Sequence, residues 1–166
     1  PEGAAVHFAI ATKVESASAA DRGTSVTHLG RDPGGDFPVA GAFEAGLQTR
    51  KSGMSLAQEL ASGLARMGLE VTPEQQAKLL EYLALLHKWN GVYNLTAVRQ
   101  PEQMVSHHLL DSLAVLPYLW PQRWLDVGCG AGLPGIVLAV MRPEWSFTLL
   151  DSNSKKTGFV QQAVIE

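Results

Sequence analysis

Residues Arg123 to Gly135 read RWLDVGCGAGLPG, and this stretch decides the fold. A short apolar strand (Trp124, Leu125, Val127) carries an acid, Asp126, near its end. Three alternating glycines follow, Gly128, Gly130 and Gly132, and then an apolar helix, Ile136 to Met141. Glycine is required where a backbone turns sharply or lies against a ligand with no Cβ between them. A strand, a glycine turn and a helix N-terminus make a nucleotide-sized site, with exposed N–H groups and the positive end of a helix dipole. A dinucleotide fingerprint is G-x-G-x-x-G. Here the third place after Gly130 holds Leu133, so the pattern is D-x-G-x-G-x-G instead. A turn that merely connects strand to helix seldom needs three alternating glycines after an acid.

The sequence on either side of this turn supplies the rest of a β-α-β unit. Arg142-Pro143-Glu144 breaks the helix, and Ser146 to Leu150 reads as a second strand ending in Asp151. Ser152 to Ser154 forms a turn, with Ser154 placed to cap a helix from Lys155 onward. The two strands are expected to be parallel with a right-handed crossover. That layout sets Asp151 beside the glycine turn, where an acid suits ribose hydroxyls. Lys155 and Lys156 open the last helix against the dipole preference for acids there. They read either as contacts to an anion or as two solvated lysines.

Upstream, helix signals are crisp from Met54. Ser55-x-x-Gln58 has capping-box spacing for a helix to about Met67, stopping at Gly68. Thr72-Pro73-Glu74-Gln75 is a second capping box with proline at the first helical position. Its helix carries Leu79, Leu80, Leu83, Leu86 and Trp89 as a core stripe and is expected to end near Asn90-Gly91. Pro101-Glu102 opens a third helix through Val105, Leu109, Leu113 and Leu116. It holds His107, His108 and Asp111, in which either histidine can meet the acid on one face. A metal site needs more ligands than these, and none is expected.

Residues 1 to 53 read differently. They are rich in Ala, Gly, Ser and Asp, with no sustained apolar period, although Val6 to Thr12 suits a short strand. This segment is expected to be a disordered extension, with Met54 as the natural start. Residues 54–120 form a helical segment, and residues 121–166 begin the strand-and-turn domain.

Composition bounds the function classes. The chain has 166 residues, 46% hydrophobic and 17% charged, enough for one modest globular domain. A net charge of −3 does not mark a strongly basic nucleic-acid binder, which leaves room for local patches. The single cysteine, Cys129, rules out an intramolecular disulfide and fits a reducing compartment. No apolar run approaches the ~18 residues that span a bilayer, and no secretory signal is seen. A cytoplasmic, membrane-free location is the expectation.

The D-x-G-x-G-x-G turn resembles the first motif of S-adenosylmethionine-dependent methyltransferases. Taken with LLEYLALLHKWNGVYNLTAV (79–98), HHLLDSLAVLPYL (107–119), the block 124–152 and KKTGFVQQAV (155–164), the chain resembles the bacterial 16S rRNA guanine-N7 methyltransferases, RsmG or GidB. The resemblance implies an α/β fold, the first part of a Rossmann-like class I methyltransferase domain preceded by a small helical segment. It implies S-adenosyl-L-methionine as cofactor and 16S rRNA of the small ribosomal subunit as partner, with the methyl group going to one guanine N7. It assigns Gly128 and Leu133 to the cofactor, and Asp151 and Ser152 to the end of the second strand beside the adenosine. Gly130 and Gly132 complete the turn, and Asp126 orients it or reaches the cofactor's ammonium through water. His108, Lys155 and Lys156 are expected on the RNA side. No catalytic base is assigned, and a monomer is expected. Cys129 stands where threonine is common, and His107 where arginine is common. The family's sheet is wider than the two strands read here. On that reading the chain is truncated and binds S-adenosylmethionine weakly or not at all by itself. A non-catalytic RNA-binding module and a methyltransferase of another substrate remain the rival readings.

Overall fold

The computed structural model describes residues 8–11 and 54–165. Three parallel strands form one sheet in the order β1-β3-β2, where β1 is Phe8–Ala11, β2 Arg123–Val127 and β3 Ser146–Leu150. Trp124 pairs with Phe147 and Asp126 with Leu149, while Phe8 pairs with Phe147 from the other side. The strand expected near Val6 to Thr12 therefore exists over four residues, inside a segment expected to lack order. The rest of that expectation, residues 1–7 and 12–53, lies outside the described residues.

The helices follow their local signals closely. Helix α1 is Leu56–Arg66 and α2 is Pro73–Tyr93. Both capping boxes are made: Gln58 N donates to Ser55 Oγ at 3.2 Å, and Gln75 N donates to Thr72 Oγ1 at 3.1 Å. Helix α2 runs past its expected stop. Gly91 is tolerated inside it, and the helix ends when Asn94 turns left-handed at φ +51. Asparagine is among the few non-glycine residues that adopt this conformation readily.

The third helix, α3, covers residues 101–113. It begins as an α turn (Pro101–Met104), widens to a π turn (Val105–Leu110) and closes as an α turn (Asp111–Leu113). Helix α4 is Gly135–Met141 and α5 is Ser154–Ile165. The cap of α5 is one residue earlier than expected: Asn153 Oδ1 accepts from Lys155 N at 3.0 Å. No helix among the described residues is long and apolar enough to cross a membrane.

Layering follows from burial. Helix α4 joins β2 to β3, and six of its seven residues are buried. This is what an apolar helix with layers on both sides requires. It packs on β3, and α2 packs against both α4 and α5. Gln75 Nε2 also donates to the last carbonyls of α4, Val140 O and Met141 O, each at 3.3 Å. The core is continuous from Leu60, Leu79, Leu83 and Leu109 in the helical layer to Ile136, Phe147, Leu149 and Phe159. On the sheet, Phe147 and Leu149 face this core. The alternate residues of β2 face away, with Leu125 61% and Val127 69% exposed.

Candidate functional site

The glycine turn sits at the carboxyl end of β2, beside the carboxyl end of β3. Parallel α/β sheets bind ligands at that end. Gly128, Gly130 and Gly132 have φ of +81, +59 and +88, the left-handed region that side chains other than glycine rarely adopt. The amides of Gly128 and Cys129 both donate to Leu150 O, at 2.7 and 3.1 Å. Those of Gly132 and Leu133 donate to Cys129 O at 2.8 and 2.9 Å. The expectation of several free amides aimed at a ligand is thus corrected: these donors are turned inward to hold the loop. Toward open space the turn presents the Cα faces of Gly128 and Gly130.

The three glycines do different work. A Cβ built on Gly128 would meet nothing within 4 Å, and on Gly130 only Gly128 O at 4.0 Å. These two face open space. Gly132 is buried against Ile136 and Val160, so its missing side chain makes room for packing instead.

Two acids flank the turn. Asp151 is buried, and its carboxylate accepts from Gly130 N at 2.9 Å through Oδ2 and from Asn153 N at 2.8 Å through Oδ1. It ties the glycine turn to the turn before α5. Asp126 Oδ2 accepts from Gly135 N at 3.1 Å, holding the first turn of α4. Burial raises the Asp126 pKa, the Gly135 amide lowers it, and the neighbouring Asp151 charge raises it again. Such an acid pair beside the open faces of Gly128 and Gly130 favours a ligand carrying positive charge.

Leu133 lies half-buried at the far side of the turn, joined to Pro134 by a cis peptide. Ser152 and Lys155 are exposed, Lys156 is half-buried, and all three follow Asp151 at the same end of the sheet. Nine of the ten site residues named from the sequence are therefore drawn from the segments that converge here: the end of β2, the glycine turn, and the stretch from the end of β3 into α5.

His108 is the exception. It is buried in α3 with Nε2 3.0 Å from Thr96 Oγ1, and burial holds its pKa below the ordinary value of 6.5. The residue expected on the RNA side thus has its ring engaged with Thr96 inside the helical layer. Nor does His107 meet Asp111: its Nδ1 lies 2.9 Å from both Ser106 Oγ and Gln103 O. Among the described residues no three His, Cys, Asp or Glu side chains gather as a metal-binding group.

Two residues that matter here carried no sequence signal of a site. Tyr82, in the leucine stripe of α2, donates from its hydroxyl to Ala131 O in the glycine turn at 2.8 Å. Asn90, expected at a helix end, instead lies buried in α2. Its Oδ1 accepts from Thr96 N at 2.8 Å and its Nδ2 donates to Val98 O at 3.1 Å, pinning the segment that holds His108.

Comparison with known proteins places this geometry in a family. A family model described as rRNA small subunit methyltransferase G, GidB, matches residues 75–166. A ribosomal RNA small subunit methyltransferase G of Nitrosospira multiformis is 58% identical over 113 residues, 68% of this chain and 52% of the relative. Its counterpart in Laribacter hongkongensis is 57% identical over 113 residues, 68% of this chain and 55% of the relative. That of Hahella chejuensis is 61% identical over 105 residues, 63% and 48% respectively. The chain spans about half the length of the curated relatives it matches.

Proposed function

This chain belongs to the GidB family, described as rRNA small subunit methyltransferase G, and from that membership we propose that its glycine turn holds S-adenosyl-L-methionine for methylation of guanine N7 in 16S rRNA. The observation that carries the reading is the turn itself. Gly128 and Gly130 leave open space beside two acids, inside the matched segment. A cofactor with a sulfonium and an ammonium fits that surface, because the nearby carboxylates favour positive charge and no side chain obstructs the approach. Bound there, S-adenosylmethionine supplies a methyl group made electrophilic by the sulfonium charge.

The chain's own residues have holding roles. Gly128, Gly130 and Leu133 line the methionine end, with Gly132 packing the turn onto α4. Asp126 fixes where that turn enters the helix. Asp151 has both carboxylate oxygens engaged by backbone amides, yet each retains acceptor capacity for a ribose hydroxyl. Ser152 borders the same side. Guanine N7 already carries an exposed lone pair, so no residue need act as a base, and alignment of the reacting groups is the protein's main contribution. Lys155 and Lys156 are placed to meet RNA phosphate, with affinity that falls as salt rises. The reading carries with it the small ribosomal subunit as partner, a cytoplasmic location and a monomer.

The test is amide chemical-shift titration of the isotopically labelled chain with S-adenosylmethionine, into the millimolar range so that weak binding registers. Saturable shifts are expected at 128–133, 151 and 152. Absence of shifts there, with the chain folded, overturns cofactor binding by this chain alone. Transfer of a labelled methyl group to 16S rRNA lacking the modification then tests the activity.

A further inference from the structure

We propose that Tyr82 is a positioning residue that fixes the glycine turn from the helical layer, and so couples α2 to the site. The proposal rests on the cofactor reading for its functional consequence and on geometry alone for its structural one.

Tyr82 and Ala131 are 49 residues apart, and the bond between them is buried. Ala131 lies between Gly130 and Gly132, both at positive φ. Its carbonyl belongs to the peptide that leads into Gly132, so fixing that oxygen fixes the plane at the centre of the turn. A glycine-rich segment has the most conformational freedom to lose on ordering, and its shape must be imposed from outside. Two side chains impose it. Asp151 grips the Gly130 amide from the sheet at 2.9 Å, and Tyr82 grips the Ala131 carbonyl from the opposite layer at 2.8 Å.

The donor is itself held. The Tyr82 ring packs tilted against Phe159 of α5 at 6.1 Å between centroids, and Phe159 meets Trp89 edge-on at 5.7 Å. Burial first, then the nearby Cys129 and Asp126, push the phenol far above its ordinary pKa. The hydroxyl therefore remains protonated and always able to donate. Its partner carbonyl is buried with Ala131, so water is a poor substitute once the hydroxyl is gone.

Tyr82→Phe removes only the hydroxyl and keeps the ring packing. Native-state amide exchange of the full chain is the deciding measurement. Loss of the bond should speed exchange at Gly130, Gly132 and Leu133 about tenfold, the scale of one buried hydrogen bond, relative to amides of β2, β3 and α2. Unchanged exchange at those three, or an equal rise at every amide, would overturn the proposal, the second because it marks plain loss of stability. The titration with S-adenosylmethionine adds the functional arm. Where the unaltered chain binds, Tyr82→Phe should weaken the cofactor by a comparable factor, and an unchanged affinity removes the coupling to the site. Where the unaltered chain shows no shifts, this chain alone does not bind the cofactor, and exchange alone decides what Tyr82 does to the turn.

Discussion

Replacing Gly132 and Gly128 by alanine separates two reasons for a glycine at positive φ. Both residues sit near the same conformation, at φ +88 and +81. For each, alanine in the left-handed region costs about 1–2 kcal/mol. Beyond that the two differ. A Cβ on Gly128 enters open space, while one on Gly132 collides with the Ile136 side chain, 2.7 Å from Cγ1, and presses Val160 Cγ2 at 3.4 Å. Ile136 is buried in α4, β-branched and stiff at χ1, so it cannot swing aside freely. Overpacking of this kind costs about 1–3 kcal/mol. Gly132→Ala should therefore destabilise by roughly 2–5 kcal/mol in total, a large share of the ~5–15 kcal/mol that holds a domain of this size. Equilibrium urea unfolding measures both variants. The midpoint of Gly132→Ala should lie below that of Gly128→Ala by about 0.5–2 M, at an ordinary urea dependence. A double-mutant cycle sharpens the comparison, since Ile136→Val removes the nearest clashing atom, Cδ1. It should cost less in the Gly132→Ala background than in the parent. Equal midpoints for the two glycine variants, or strict additivity in the cycle, would refute the assignment of Gly132 to packing and of Gly128 to the open face.

Other consequences are equally open to measurement. His108 is held neutral by burial, with its pKa below 6.5 in the folded chain, so on acidification the unfolded chain takes up the proton first. The stability this contributes is complete above about pH 6.5 and is lost as pH falls toward the folded pKa; urea midpoints across that range should fall more steeply for the parent than for His108→Gln, and parallel curves would remove His108 as the cause. Cys129 is 1% exposed and burial pushes its thiol up to about 11, so a thiol reagent at neutral pH should label it only as fast as the chain opens, and at once in denaturant; rapid labelling of the folded chain would contradict its placement. Asn90→Ala leaves Thr96 N and Val98 O without their partner and should cost about 2–4 kcal/mol by denaturant unfolding. Asn90→Asp sets a buried carboxylate oxygen against Val98 O and should cost at least as much as alanine.

At the two capping boxes the sequence reading and the structure agree. Ser55 with Gln58 and Thr72 with Gln75 need only neighbours three residues apart to declare a helix start, and both boxes form. The strand–turn–helix–strand order around Gly128 was legible for the same reason, since glycine spacing and apolar runs lie within one short segment. Disagreement begins where tertiary packing chooses among local options. The π turn in VSHHLL has no mark in composition, and it arises where α1 brings Gly63 against Leu110 of α3. His108 is more instructive, because its burial was legible in the stripe that carries it. Val105, His108, Leu109 and Ser112 follow the helical i, i+3, i+4, i+7 stripe, and all four are buried. The stripe places the ring inside, whatever resemblance suggests about its neighbours.

The site itself shows a deeper limit of local reading. Identity of its residues could be read, but not what each one faces. Nothing in D-x-G-x-G-x-G says that the amides of Gly128, Cys129, Gly132 and Leu133 turn inward. Nor does it say that Asp151 spends an oxygen on Gly130, or that Gly132 serves packing. Those facts depend on what surrounds the turn: Leu150 and Asp151 at the end of β3, Cys129 O within the turn itself, Ile136 and Val160 around Gly132, and Tyr82 of α2 on Ala131 O. The helical layer is therefore part of the site's construction and not a cap laid over a finished β-α-β unit. A turn of three glycines has little shape of its own, and its shape here is the sum of the groups that hold it. It follows that substitutions in α2, chosen with no regard for the ligand, should alter the turn as directly as substitutions within it.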